Sequence, residues 1–354
     1  MGRIDNLRFE LREKGIDAVI ITDEINIRYL SNFAYTDGFL FITQNTAHLI
    51  TDFRYYEMAI NRAYKDFIVA NPKDRKAYIL DLISSELIKT IGFEGEKTSF
   101  KAYNGYLTNY PSVKFIDIGN ILSLMRQIKT QEEVDLMKTA QSITDAAFSS
   151  LLEVITPDMT EIEVAAELEY QMKKRGADGL AFETIAVSGD ASALPHGTPR
   201  NVKLKKGFLT LDFGARYDGY CSDMTRTIVI GKADAKIKKL YNTVLEAQSA
   251  ALEYLIAGRD CFYADKCARD IINVDYPDTF GHSLGHSIGL ECHEMPALSP
   301  KSKDKVLYAG NIVTVEPGIY LFGKYGCRIE DMVQIRENSI YNFTHSTKEL
   351  IEIY

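Results

Sequence analysis

FLTLDFGARYDGYCSDMTRTIVI, residues 208–230, has a weak echo in NIVTVEPGIYLFGKYGCRIEDMVQI, residues 311–335, and the fold turns on reading the two together. Each reads as a strand, a turn rich in Gly and Tyr, and a second strand. Each has an acidic residue leaving its first strand and another entering its second. These are Asp212 and Asp223 in one, Glu316 and Glu330 in the other. Antiparallel pairing would bring the two carboxylates of each hairpin close across the strands. Two such hairpins related by a pseudo-twofold axis suit a site built between similar halves. Four carboxylates in one sheet repel one another and resist burial, and a pair of divalent cations removes that difficulty. Acidic residues at strand ends are commonly solvated, and TLDFG by itself says little. The weight lies in the combination.

A source of nitrogen ligands lies between the two hairpins. Three of the six histidines, His282, His286 and His293, fall within GHSLGHSIGLECHE (281–294). Oxygen donors with one imidazole suit Mn2+, Co2+, Fe2+ or Zn2+ rather than a soft thiophilic centre.

The totals set this site in an ordinary globular chain. At 354 residues it exceeds one core, so two domains are expected. Apolar content of 46% and charged content of 25% are typical of a soluble protein. Aliphatic runs such as AVII (18–21) are too short to cross a bilayer, and the charged opening MGRIDNLRFELREKG shows no secretory signal. A net charge of −8 without a Lys/Arg run argues against nucleic acid and anionic membrane as partners. The five cysteines, Cys221, Cys261, Cys267, Cys292 and Cys327, are odd in number and form no CxxC. Reduced thiols in a cytoplasm fit better than a disulfide framework.

Along the chain, DNLRFELREKG (5–15) reads as a helix stopped by Gly15, DAVIIT (17–22) as a buried strand, and GFLFIT with AHLIT as a hairpin. This α/β unit is assigned residues 1–125, and a second domain 126–354. Thr130 with Glu133 fits a capping box. Thr160 with Glu163 repeats the device, and Gly176 closes that helix. From 181 onward strands dominate, with helical patterns at 236–257 and 263–274. His48, in a strand pattern, reads as structural, and His345 as structural or exposed.

With these motifs in order, the chain resembles the pita-bread metallopeptidases, in particular the branch of Xaa-Pro aminopeptidase (aminopeptidase P) and proline dipeptidase. NIRYLSNF, DGFLFIT and TDFRYYEMA are similar to the family's N-terminal domain, and RQIKTQEEVDLMKTA to the opening of its catalytic domain. LPHGTPRN, LDFGARYDGYCSDMTRT, GHSLGHSIGLECHE, VEPGIY and CRIEDM match its site motifs in sequence. The resemblance implies a two-domain α/β chain. A creatinase-like α/β domain would precede an α+β pita-bread catalytic domain with a pseudo-twofold repeat.

It also implies five metal ligands. Asp212 would bind one cation, Asp223 and Glu330 would bridge the pair, and His286 and Glu316 would complete the other. A water shared by the cations would be the nucleophile, with Glu316 carrying its proton. His293 would hydrogen-bond substrate and stabilise the oxyanion. His196, in LPHGTPRN, would be a second outer histidine near the proline side. Arg328 would orient a carboxylate ligand, lying two residues before Glu330 and so on the same strand face. His282 stays open between a supporting role behind the ligands and a polar loop position.

The implied reaction is hydrolysis of the bond between an N-terminal residue and a following proline, a tertiary amide whose nitrogen carries no hydrogen. A dipeptidase must also hold a free carboxylate beside the ring, for which a cation is the natural partner. Some dipeptidases of this branch place Arg just after HExP, whereas HEMPALSPKS has Ala297 there. The expectation is therefore an Xaa-Pro aminopeptidase, with Xaa-Pro dipeptidase (prolidase) as the alternative. A non-catalytic peptide-binding module would show lost ligands, and none is lost. The resemblance further implies two divalent cations, Mn2+ foremost, and a cytoplasmic homodimer.

Overall fold

A computed structural model describes residues 2–33 and 37–354 and divides the chain into two compact units, 1–126 and 127–354. The first is a six-stranded sheet of β1 (Ala18–Ile21), β2 (Gly38–Thr43), β3 (Ala47–Thr51), β4 (Ile68–Ala70), β5 (Thr90–Phe93) and β6 (Lys114–Asp117), in the order β4-β3-β2-β1-β5-β6. Its helices are α1 (Arg3–Glu13), α2 (Glu24–Ser31), α3 (Phe53–Arg62), α4 (Arg75–Ser85), α5 (Phe100–Asn109) and α6 (Ile121–Met125). β1 reads AVII with all four residues buried, the mark of a strand covered on both faces. α1 ends two residues before the expected stop, because the chain leaves it through Lys14 and a left-handed Gly15 (φ 67°). His48 is buried in β3 between the Tyr78 and Thr46 hydroxyls, each 2.9 Å away, a structural histidine as expected.

The second unit repeats one plan twice. α7 (Gln131–Val154) and α8 (Glu161–Lys174) open on the two expected capping boxes, Thr130 with Glu133 and Thr160 with Glu163. They cover a sheet of order β20-β12-β9-β8, formed by β8 (Ile185–Ser188), β9 (Gly207–Phe213), β12 (Met224–Ile230) and β20 (Glu352–Ile353). Between β9 and β12 the chain makes a short excursion, β10 (Ala215–Tyr217) and β11 (Tyr220–Cys221), which pairs with β7 (Gly179–Leu180).

α9 (Ala235–Tyr254) and α10 (Cys261–Asp275), capped by Asp234 and Asp260, cover the second sheet. That sheet runs β14-β13-β15-β18-β19, from β13 (Gly285–Ser287), β14 (Glu294–Leu298), β15 (Ile312–Val315), β18 (Asp331–Ile335) and β19 (Ile340–Asn342). Its excursion is the hairpin of β16 (Gly318–Leu321) and β17 (Tyr325–Arg328). Helix pair, strand, small hairpin, strand is thus the repeated unit.

Each half has its own core. Phe148, Leu151, Val164 and Leu168 bury against Leu209, Leu211, Phe213 and Ile228. Tyr241, Val244, Ala264 and Ile272 bury against Val313, Val315, Val333 and Ile335. Each Val, Leu, Ile or Phe side chain among them is worth roughly 1.5–3 kcal/mol.

The halves join where β12 and β18 begin. The Glu330 N–H donates to the Thr225 carbonyl at 3.1 Å. Buried Arg226 donates to the Glu330 carbonyl at 2.5 Å and to Asp331 Oδ1 at 2.8 Å. Among the described residues no helix is long and apolar enough to cross a membrane.

Candidate metal centre

The junction between the halves brings the four carboxylates together. Asp212 is the penultimate residue of β9, opposite Thr225, and Asp223 stands just before β12. The register runs Phe213 to Met224, so the two aspartates are offset along the hairpin but near enough for Asp212 to repel Asp223. Glu316 follows β15 and Glu330 precedes β18. His286 is the middle residue of β13, which pairs with β15 at Ser287 and Val313. Two glycines permit this closeness. A Cβ on Gly285 would lie 2.0 Å from the Thr314 carbonyl oxygen, and one on Gly214 would lie 1.9 Å from that of Ser222. Only residues without a Cβ let the backbones approach so far.

His286 Nδ1 lies 3.1 Å from the Ser287 carbonyl, which can only accept, so Nδ1 carries the proton. Nε2 then turns its lone pair toward Glu316 Oε1 at 3.4 Å and Asp223 Oδ2 at 3.7 Å. Ligand atoms of Asp223, His286 and Glu330 all lie within 4.8 Å of one another. Glu330 Oε2 accepts from the Thr225 hydroxyl at 2.7 Å, and Glu316 Oε1 from the Thr314 hydroxyl at 3.2 Å. Asp212 Oδ2 accepts from Arg328 Nη2 at 2.6 Å, whereas its buried Oδ1 has no protein partner.

Burial pushes the Glu316 carboxyl up to about 8, and Asp212 adds to the rise. Burial also raises Asp223 and Glu330 well above the ordinary carboxylate range, with their acidic neighbours adding repulsion. The same burial, together with His293, lowers His286 to about 4, which leaves a neutral ring with a free lone pair. An orphaned carboxylate oxygen, a lone pair aimed at acceptors and three acids that resist ionisation share one defect: positive charge is missing between them. Divalent cations fit this donor set, which is hard oxygen with one imidazole. The carbonyl-bound Nδ1 is the support a metal-ligating histidine takes.

The outer residues ring the cluster. The His293 ring lies 4.2 Å from that of His286, centroid to centroid. His196 is exposed in the loop after β8, and its charge opposes protonation of both His293 and His282. Arg328 donates to the neighbouring Pro195 carbonyl at 3.2 Å, which ties that loop to the site.

His282, open on sequence alone, belongs to a relay. Arg328 Nη1 donates to the Tyr320 hydroxyl at 2.8 Å, and that hydroxyl lies 2.8 Å from His282 Nε2. The His282 Nδ1 proton goes to the Ser283 carbonyl, so Nε2 accepts. Burial, with Arg328 nearby, lowers His282 to about 4 and keeps it neutral.

Arg328 and Glu330 do not share a strand as expected, because β17 ends at Arg328 and β18 begins at Asp331. Arg328 instead reaches Asp212 from the excursion hairpin, and its Nε donates to the Thr225 hydroxyl at 3.0 Å. Thr225 and Tyr320, which hold these groups, went unassigned on sequence although both lie in quoted motifs. A hydroxyl in a strand gives no signal of its partner. His345 is exposed, its N–H bonded to Asp145.

Residues 3–128 match the Creatinase/Prolidase N-terminal domain, and residues 135–337 match Metallopeptidase family M24. The chain therefore belongs to metallopeptidase family M24, with a creatinase-like α/β domain ahead of a pita-bread catalytic domain. Among full-length relatives, an Xaa-Pro dipeptidase of Pyrococcus furiosus is 36% identical over 352 residues, 99% of each chain. The structure of an Xaa-Pro dipeptidase from Bacillus anthracis superposes with a TM-score of 0.95 at 41% identity, over 99% of both chains. That of an X-Pro aminopeptidase from Thermotoga maritima gives 0.91 at 38% identity, over 100% of both.

Proposed function

We propose that the chain is a metal-dependent exopeptidase that hydrolyses Xaa-Pro bonds, with Xaa-Pro dipeptides as its preferred substrates. The observation that carries this reading is the gathering of Asp223, His286 and Glu330 within 4.8 Å of one another, with Glu316 Oε1 3.4 Å from His286 Nε2 and the buried Asp212 Oδ1 left without a protein partner. Full-length likeness to chains named Xaa-Pro dipeptidase supports the proline specificity and the dipeptide preference. This moves the preference away from the aminopeptidase expected on sequence.

In this reading Asp212, Asp223, His286, Glu316 and Glu330 hold two divalent cations, with Mn2+ the first choice on donor chemistry. When bound, the cations supply Lewis acidity toward the scissile carbonyl and acidify the attacking water. Glu316 takes that water's proton and passes it toward the leaving proline nitrogen. Burial and the neighbouring His196 hold His293 below the ordinary imidazole range, so a neutral ring offers its N–H to the developing oxyanion. Exposed His196 contacts the proline side. Arg328 fixes Asp212, and through Tyr320 it fixes the rotamer of His282.

A second reading, Xaa-Pro aminopeptidase, draws on one specific observation. Ala297 stands on β14, just after HEMP, where some dipeptidases of the resembled branch place Arg. Turnover of Ala-Pro and of Arg-Pro-Pro by Mn2+-loaded protein separates the two. Faster cleavage of Ala-Pro is expected. Cleavage of the tripeptide alone would return the assignment to an aminopeptidase, and inertness toward both would leave a peptide-binding module. The five cysteines are free thiols, which supports a reducing cytoplasm. Exposed Phe53, Met58 and Ile60 supply apolar surface that the second copy of a homodimer would cover.

A further inference from the structure

Cys292 has no part in the proposed hydrolysis, yet it stands among its residues. Its Sγ and one ring nitrogen each of His286 and His293 lie within 4.8 Å of one another. The thiol also donates to Asp223 Oδ2 at 3.4 Å, the oxygen that His286 Nε2 faces at 3.7 Å. The two imidazole rings lie 4.2 Å apart, centroid to centroid, and are tilted by 47°. Nitrogen, sulfur and nitrogen, with a carboxylate oxygen beside them, form a donor set unlike the oxygen-rich cluster next door. Such sets select thiophilic, four-coordinate ions. His293 is exposed while His286 and Cys292 are half-buried, so an ion reaches the set from solvent.

We propose that Cys292, His286 and His293 form a second, inhibitory cation site at the mouth of the metal centre, taking a thiophilic ion such as Cd2+ or Zn2+. On binding, a sulfur–metal bond forms and the thiol proton passes to solvent, with no change of oxidation state. The ion withdraws His286 from the carboxylates and His293 from the substrate. Its inhibitory effect rests on the proposed function, whereas its existence as a site does not.

The test titrates Mn2+-loaded protein with Cd2+. It follows the ultraviolet thiolate-to-cadmium charge-transfer band and Xaa-Pro dipeptide hydrolysis in parallel. Wild type is expected to gain the band and lose hydrolysis together. Cys292→Ala, normalised to its own cadmium-free rate, is expected to lose one thiolate's share of the band and to need about tenfold more Cd2+ for half-inhibition. His293→Ala keeps the thiol and is read by the band alone, with weaker cadmium affinity expected. A band and an inhibition curve unchanged in Cys292→Ala overturn the site, as does unchanged affinity in His293→Ala. A cadmium band in wild-type protein that hydrolyses no Xaa-Pro peptide overturns the proposed function and leaves the site standing.

Discussion

The two halves of the catalytic domain share a frame but differ in what they hang on it. In each, a strand beside the central hairpin ends in a buried serine and leads into a loop with an outer histidine. β8 ends at Ser188 and leads to His196, and β13 ends at Ser287 and leads to His293. The first half contributes only carboxylates to the centre, Asp212 and Asp223. The second adds the imidazole of His286 and the guanidinium of Arg328 to its two longer carboxylates. A duplicated scaffold therefore yields an asymmetric site, in which one half is purely acidic and the other brings the neutral donor and the counter-charge.

Removing one acid from each half has the largest expected effect. Asp212→Asn and Glu330→Gln are both expected to lower kcat by about a thousandfold or more, since each strips a ligand from the proposed cation pair. Their effects on metal-free stability should have opposite signs. Asp212 Oδ2 pairs with Arg328, whose side chain is 3% exposed. Its loss leaves a buried cation short of its partner, at a cost of about 3 kcal/mol. Glu330→Gln instead removes one charge from a crowd that resists ionisation, so the chelated variant should be no less stable than wild type. Urea unfolding in chelator reads both, and a parallel loss in the two variants would erase the proposed division of labour.

The crowding itself spans the halves, and pH sharpens the point. Glu316, raised to about 8, together with Asp223 and Glu330, binds protons in the folded metal-free protein that the unfolded chain has already released near neutrality. The folded state then binds more protons, so stability falls as pH rises. The lowered His286 and His282 act in the opposite sense, but only below the unfolded imidazole value of about 6.5. Between pH 6.5 and about 8, the melting temperature of chelated protein should therefore fall, and Mn2+ should flatten the slope. An equal slope with and without Mn2+ would mean that the cations bind elsewhere.

Much of this frame was legible in the residues. The echo of 208–230 in 311–335 located both hairpins, and the capping boxes at Thr130 and Thr160 set where α7 and α8 begin. Period-two reasoning misplaced Arg328, because a strand pattern does not reveal that the chain breaks at Ile329 and then rejoins the sheet of β15 as β18. The closeness of Asp212 and Asp223 was legible, but their offset was not, because the β10–β11 excursion lies between their strands and register inside a hairpin follows the turn rather than the acids. The helix pairs were visible as elements, but nothing in their sequences showed that α9 and α10 repeat the part played by α7 and α8. That equivalence lies in which sheet each pair covers.

The smallest expected effects concern the outer loops, where the halves solve one problem with different charges. The His196 loop is closed at both ends by Glu161, which accepts from the Ser188 N–H and hydroxyl at 2.7 and 2.8 Å and from Arg200 at 2.7–3.0 Å. The His293 loop is held by Lys129, which donates to Glu294 Oε2 at 3.0 Å and to the Ser287 hydroxyl at 3.3 Å. Lys129 and Glu294 side chains are 1% and 4% exposed, whereas Arg200 is 37% exposed. Water can stand in for the Arg200 contact but not for Lys129. Lys129→Met is therefore expected to cost about 3 kcal/mol of stability and to lower kcat through His293. Glu161→Gln should cost about 1 kcal/mol and raise KM with kcat nearly unchanged, because in the proposed function His196 meets substrate from the outer side. Urea midpoints and steady-state kinetics on one dipeptide measure both. If Glu161→Gln depressed kcat as strongly as Lys129→Met, the two loops would be working as equals, and the asymmetry drawn between the halves would stop at the metal ligands.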